Sequence, residues 1–135
     1  RMERHFANAQ AVAEFLDAHD QVENVQFAGL PSSPWYERTQ EYGGGRGAGS
    51  IVAFDVKGGV DAGKRFVEGC ELHSHVANIG DVRSLVIHPA STTHSQLSPE
   101  EQVQSGVGPG LIRLSVGLET LSDIIADLET AFAAV

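Results

Sequence analysis

Arg113 lies in Leu111-Ile112-Arg113-Leu114-Ser115-Val116-Gly117, with an aliphatic residue on each side. The run is apolar enough for a central strand. A guanidinium buried there without a partner is costly, so its charge must be met. One solution is internal: Glu119 or Asp123 follows closely and can pair with it inside the fold. The other is functional: a planar fork, held rigid on a strand, receives an incoming carboxylate.

The other reactive residue types are less specific. His73 and His75 stand two apart on an expected strand and would share a face, and His88 and His94 follow. A zinc or iron site would need a further ligand, and no aspartate or glutamate stands at a diagnostic spacing. Half-buried strand residues are the simpler reading of these histidines, and no metal is expected. Cys70 is the single cysteine, which excludes a disulfide framework. Its near neighbours include one cation, Arg65, so it reads as a small packing residue. Serine, histidine and aspartate are present without the Gly-x-Ser-x-Gly elbow of a hydrolase. Gly44 to Gly49 has phosphate-loop glycine spacing, but Ser50 stands where a lysine is required. The run also precedes a strand pattern, whereas a phosphate loop must open a helix. It reads as a flexible hinge into a core strand.

The elements that position these residues follow from periodicity. Met2, Phe6, Ala9, Val12, Ala13 and Leu16 form one helix face. The chain enters this helix directly from Arg1 with no capping residue, as expected of a chain cut from something longer. Asp17 to Glu23 reads as a turn region, Val25 to Ala28 as a short strand, and Trp35 to Tyr42 as a short helix. Ile51 to Val56 is a β-branched and aromatic strand, and Val60 to Gly69 has helical spacing. Strands are expected over Leu72 to Ala77, Ser84 to His88 and Leu111 to Gly117. Ser98-Pro99-Glu100-Glu101 is a helix start with a capping box. The last helix carries a stripe of Leu121, Ile124, Ile125, Leu128, Phe132 and Val135, with Asp123, Asp127 and Glu129 largely off it. The expected fold is a single two-layer α+β domain over residues 1–135, with about four to five strands and helices on one face.

Composition bounds the partners. The 135 residues are one domain's worth of chain, 41% hydrophobic and 20% charged. A net charge of −9 argues against nucleic-acid or anionic-membrane binding. No apolar run approaches the roughly 18 residues of a membrane span.

Several motifs in register resemble one family. They are Arg4-His5-Phe6-Ala7-Asn8-Ala9, His88-Pro89-Ala90-Ser91-Thr92-Thr93-His94, Gly106-Val107, Leu111 to Glu119, and Asp123 to Leu128. Together they are similar to the closing third of the pyridoxal-phosphate enzymes of cysteine and methionine metabolism. That family includes cystathionine synthases and lyases, methionine γ-lyases and homoserine-ester sulfhydrylases. Asn78-Ile79-Gly80-Asp81-Val82-Arg83-Ser84-Leu85, followed by the His-Pro-Ala-Ser-Thr-Thr-His run, most resembles the O-acetylhomoserine sulfhydrylase branch.

The resemblance implies the small C-terminal domain of a fold-type-I enzyme, with mostly antiparallel strands and residues 1–18 as an interdomain helix. It implies that the parent reaction converts O-acetyl-L-homoserine and sulfide to homocysteine and acetate. A cystathionine γ-synthase or lyase, a methionine γ-lyase, or a non-catalytic binding or assembly module are the alternatives. Carried over residue by residue, Arg113 pairs with the substrate α-carboxylate. Asn78 replaces a serine beside the same carboxylate, and Thr93 lines the same pocket. Ala77 stands where lyases often have a glutamate, implying a smaller pocket wall. Pyridoxal 5'-phosphate would be held by a large N-terminal domain absent from this chain. Neither Lys57 nor Lys64 sits in the family's Ser-x-x-Lys setting, so no catalytic or covalent cofactor residue is expected here. The chain alone would be inactive. The parent enzyme would be a cytoplasmic homo-oligomer acting on a small amino-acid substrate.

Overall fold

The computed structural model describes all 135 residues. Its elements, in order, are α1 (Met2–Asp17), β1 (Val22–Gln26), α2 (Tyr36–Gly43), β2 (Ile51–Val56), α3 (Gly59–Gly69) and β3 (Leu85–Ile87). A 3-10 turn (Pro89–Ser91), α4 (Pro99–Gln104), β4 (Leu111–Ser115) and α5 (Leu121–Ala133) complete the chain. Four strands form one sheet in the order β1-β2-β4-β3, with every neighbouring pair antiparallel. The α+β fold with helices on one face is as expected.

Alternation along the strands decides what each face does. Val52, Phe54 and Val56 of β2 are buried with Ile112 and Leu114 of β4 and with Val86 of β3. These residues meet Ala9, Val12, Ala13 and Leu16 of α1, Phe66 of α3, and Ile124, Leu128 and Phe132 of α5. Phe66 packs edge-on against Phe54 and Phe132, with ring centroids 5.4 and 4.8 Å away. The opposite face carries Arg113 between Ala53 of β2 and Ile87 of β3. At one end of that face, Leu111 packs with Ala90 and Val107.

The glycine run has no regular structure and delivers the chain into β2. Gly47 has a positive φ, and a Cβ there would come within 2.7 Å of Phe6. Glycine is therefore required at that point for both conformation and space. The capping box closes on α4: the Ser98 side chain accepts from Glu101 N, and the Glu101 carboxylate accepts from Ser98 N.

Four expectations are corrected. β1 begins at Val22, inside the expected turn, because Val22 and Val25 both pack on the core. Leu72 to Ala77 is not a strand; one isolated bridge joins Ser74 to Leu85. The amides of Glu71, Leu72 and His73 are taken instead by the Asp127 carboxylate. Asp127 is accordingly buried on α5 rather than off its apolar stripe. His73 and His75 therefore share no strand face: His73 is buried and His75 is exposed.

Candidate functional site

β4 has a neighbour on each side, which makes its backbone a fixed base for Arg113. The side chain is half-buried on the face away from the large helices. Nη2 donates to the Asn78 carbonyl at 3.0 Å, while Nε is buried with no partner. The chain's ion pairs are His73–Asp127 and Arg83–Asp81, so no carboxylate of this chain neutralises Arg113. The internal pairing considered from sequence is not formed. Glu119 accepts instead from Ser84 N at 2.6 Å and Ser84 Oγ at 2.8 Å, and Asp123 is exposed. A planar cation with an unmet buried donor suits a planar anion.

Asn78 is thus brought to Arg113, but through its main chain. Its Oδ1 accepts from Ile79 N at 2.9 Å, which holds the side chain in a local turn. Ala77 immediately precedes it and is exposed. Thr93 is exposed beyond the 3-10 turn, with its hydroxyl 2.9 Å from His94 Nδ1. No hydrogen bond links Thr93 to Arg113 or Asn78. The loop bearing Thr93 is braced by Gln102, whose Nε2 donates to the carbonyls of Ala90 and His94.

His88 fixes the root of that loop. Burial holds its pKa below the ordinary histidine value, against the opposing pull of the Pro109 carbonyl. In the neutral ring Nε2–H donates to Pro109 O at 2.7 Å, which leaves Nδ1 to accept from the Ser91 hydroxyl at 2.8 Å. His88 is a structural latch between the Thr93 loop and the entry to β4.

Sequence reasoning missed the buried Asp127. Four donors converge on it: the amides of Glu71, Leu72 and His73, and His73 Nδ1 at 2.6 Å. Burial pushes its pKa up, but the hydrogen bonds from Leu72, His73 and Glu71 outweigh burial and hold it below the usual carboxylate range. The available signal was its spacing: Asp127 follows Ile124 by three and precedes Ala131 by four, so it shares their face. Cys70, His73 and Asp127 place ligand atoms within 4.8 Å of one another. Both oxygens of Asp127 are already engaged, and burial pushes the Cys70 thiol up to about 12. This cluster is a protein-internal clasp and a poor metal cradle.

Neither lysine fits a cofactor site. Lys57 is exposed, with Nζ on the Asp20 carbonyl at 2.5 Å, and Lys64 is exposed on α3. The glycine run opens no helix N-terminus. The residues present do not by themselves fit pyridoxal phosphate.

Residues 1–133 match the model of the family described as Cys/Met metabolism PLP-dependent enzyme. The chain belongs to this family. Among its members, the O-acetyl-L-homoserine sulfhydrylase of Corynebacterium glutamicum is 55% identical over 135 residues, which are 100% of this chain and 31% of that protein. The L-methionine gamma-lyase of Porphyromonas gingivalis is 51% identical over 129 residues, 96% of this chain and 32% of its own length. A crystal structure described as an O-acetylhomoserine (thiol)-lyase from Campylobacter jejuni superposes with a TM-score of 0.91 at 40% identity. The match covers 98% of this chain and 31% of that one, which carries a pyridoxyl-lysine monophosphate. The chain thus spans about 31% of the length of these PLP-dependent relatives. No helix of the structure is long and apolar enough to cross a membrane.

Proposed function

We propose that residues 1–135 form the C-terminal substrate-binding domain of a pyridoxal-phosphate-dependent sulfhydrylase, with α1 bridging to a large cofactor-binding domain. The parent enzyme converts O-acetyl-L-homoserine and sulfide to homocysteine and acetate, in the cytoplasm and as a homo-oligomer. The observation that carries this reading is Arg113: a strand-mounted guanidinium without a carboxylate partner and with Nε buried and unmet.

When bound, the cofactor supplies an electron sink for the amino-acid skeleton. This chain's residues bind and orient. Arg113 holds the α-carboxylate, the Asn78 carbonyl fixes the guanidinium, the exposed Ala77 side chain leaves room beside them, and Thr93 borders the pocket. A carboxylate held this way sets the direction of the α-carbon bonds against a cofactor on the other domain. Methionine γ-elimination is the second reading, favoured by the 51% identity to a methionine gamma-lyase.

The test uses the full-length protein that contains this chain, loaded with pyridoxal phosphate. O-acetylhomoserine with sulfide is expected to yield homocysteine at a higher kcat/KM than methionine yields thiol and 2-oxo acid. The reverse order would favour the lyase, and turnover of neither would retire both readings. The 135-residue chain alone is expected to form no product.

A further inference from the structure

Asn78 sits on the loop between Cys70 and Ser84, and both roots of that loop are fastened by carboxylates that lie outside the Arg113 face. At the first root, Asp127 Oδ1 accepts from Glu71 N at 2.7 Å and Leu72 N at 2.8 Å. Its Oδ2 accepts from His73 N at 3.0 Å and from the His73 ring at 2.6 Å. An ionised carboxylate only accepts, so His73 Nδ1 carries the hydrogen. At the second root, Glu119 accepts from Ser84 N and Ser84 Oγ, and that same Oγ accepts from Gly117 N at 2.9 Å. The two legs are stitched together where Ser74 N donates to Ser84 O and Val86 N to Ser74 O. Beyond the stitch the loop is mostly exposed, with Asn78 near its apex, so the position of the Asn78 carbonyl depends on where the roots are held.

We propose that Asp127 and Glu119 are positioning residues for Arg113: by anchoring the two roots of the 71–84 loop they place the Asn78 carbonyl that orients the guanidinium for an incoming carboxylate. This rests on the carboxylate-binding reading of Arg113. A bidentate pair needs the fork in one plane, and Arg113 Nη2 has a single protein partner to define that plane. Releasing either root frees that partner to move and disperses the orientations of the fork. Misplacement on the scale of about 1 Å can cost up to roughly 100-fold in rate.

The experiment measures steady-state kinetics and melting temperature on the full-length, cofactor-loaded protein. Asp127→Asn and Glu119→Gln are made singly and on an Arg113→Ala background. Each single variant is expected to lower kcat/KM for the amino-acid substrate by about 10- to 100-fold, chiefly through KM. On the Arg113→Ala background the same substitutions are expected to change kcat/KM by less than about twofold, the non-additivity of residues that act through one another. Binding of the decarboxylated amine of the substrate is expected to be unchanged in the single variants. Equal losses in both backgrounds, or a lower melting temperature with unchanged kinetics in the folded fraction, would overturn the proposal. If Arg113→Ala itself leaves KM unchanged, the carboxylate-binding reading fails. If Arg113→Ala raises KM and the root variants do not, only the positioning proposal fails. Glu119→Gln, at the opposite root, carries the test if Asp127→Asn does not fold.

Discussion

The two faces of the sheet are built from alternate residues of the same strands, yet they answer to different demands. On the helix side, Phe54, Ile112 and Leu114 are fully buried against α1, α3 and α5. On the other side, Arg113 and Ser115 each leave a buried polar atom, Nε and Oγ, without a partner. Dispersion and area burial complete the apolar packing of the first face within this chain, where His73 Nε2, beside Asp127 of α5, is the one buried polar atom left without a partner. The second face is chemically unfinished, because unpaired buried donors are rare unless something else meets them. A change in the apolar packing of the helix side should therefore be felt as stability, and a change at Arg113 as binding.

The largest effect that separates the faces is expected from Phe54→Ala. Its ring meets Phe66 and Phe132, so truncation opens a cavity at the centre of the core and should cost about 3–5 kcal/mol of stability. Calorimetry or denaturant unfolding reads that loss, while KM of the folded fraction should stay near wild type. A shifted KM would mean the faces are coupled.

Next is Arg113→Ala in the full-length protein that contains this chain. A charge-assisted contact in a partly dry site is worth roughly 2–4 kcal/mol, by analogy with a truncated buried pair. At about 1.4 kcal/mol per decade, that is on the order of 30- to 1,000-fold in kcat/KM. Arg113→Lys should recover only part, since it keeps the charge and loses the fork. Melting temperature should hold or rise, because no internal carboxylate is left behind. A destabilised variant with normal kinetics would make Arg113 a structural residue.

These contrasts were unequally legible in the sequence. β2 was readable over Ile51–Val56 because β-branched and aromatic residues alternate there between a buried and a half-buried face. Ser98 and Glu101 announced α4 through a local, self-contained capping box. Arg113 was conspicuous because a charge interrupts an aliphatic strand. The 71–77 segment failed because its amides find a side chain 54 to 56 residues away, and strand propensity carries no record of such a partner. Asp127 was misplaced because a charged residue on a helix stripe is ordinarily turned outward; only its four donors explain its burial. Thr93 and Ala77 came from resemblance. The pocket role proposed for them involves surface that is exposed in this chain, so neither periodicity nor internal bonding could have disclosed it.

The Asp127 clasp also makes the helix side sensitive to acid. Its pKa is below the ordinary value because its hydrogen bonds exceed the cost of burial. A depressed carboxylate contributes stability that is fully present above its unfolded pKa, about 3.9, and is lost as pH falls through the lower folded value. Acid titration should therefore lower the stability of the wild type progressively below about pH 4. In Asp127→Asn that component should vanish, leaving a protein less stable near neutrality with a flatter acid limb. A limb of unchanged steepness would show that other carboxylates govern acid unfolding.

The smallest effect tests where the open face ends. α4 buries none of its own residues, and its connection to the site is Gln102, which braces the carbonyls of Ala90 and His94 around Thr93. Ser98→Ala removes the cap and should destabilise this helix by about 1 kcal/mol. A surface helix that contributes nothing to the main core can fray without unfolding the domain, so the global melting temperature should hardly move. Hydrogen exchange should rise at the amides of Glu101 and Gln102 and, through the Gln102 brace, at Ser91, Thr92 and His94. KM should change by less than about twofold if Thr93 only borders the pocket, since the Arg113 fork and its Asn78 partner are held from the other end of the sheet. A tenfold rise in KM would instead place the Thr93 loop in the same cooperative unit as Arg113. It would extend the unfinished face from one strand to the whole segment between His88 and Pro109.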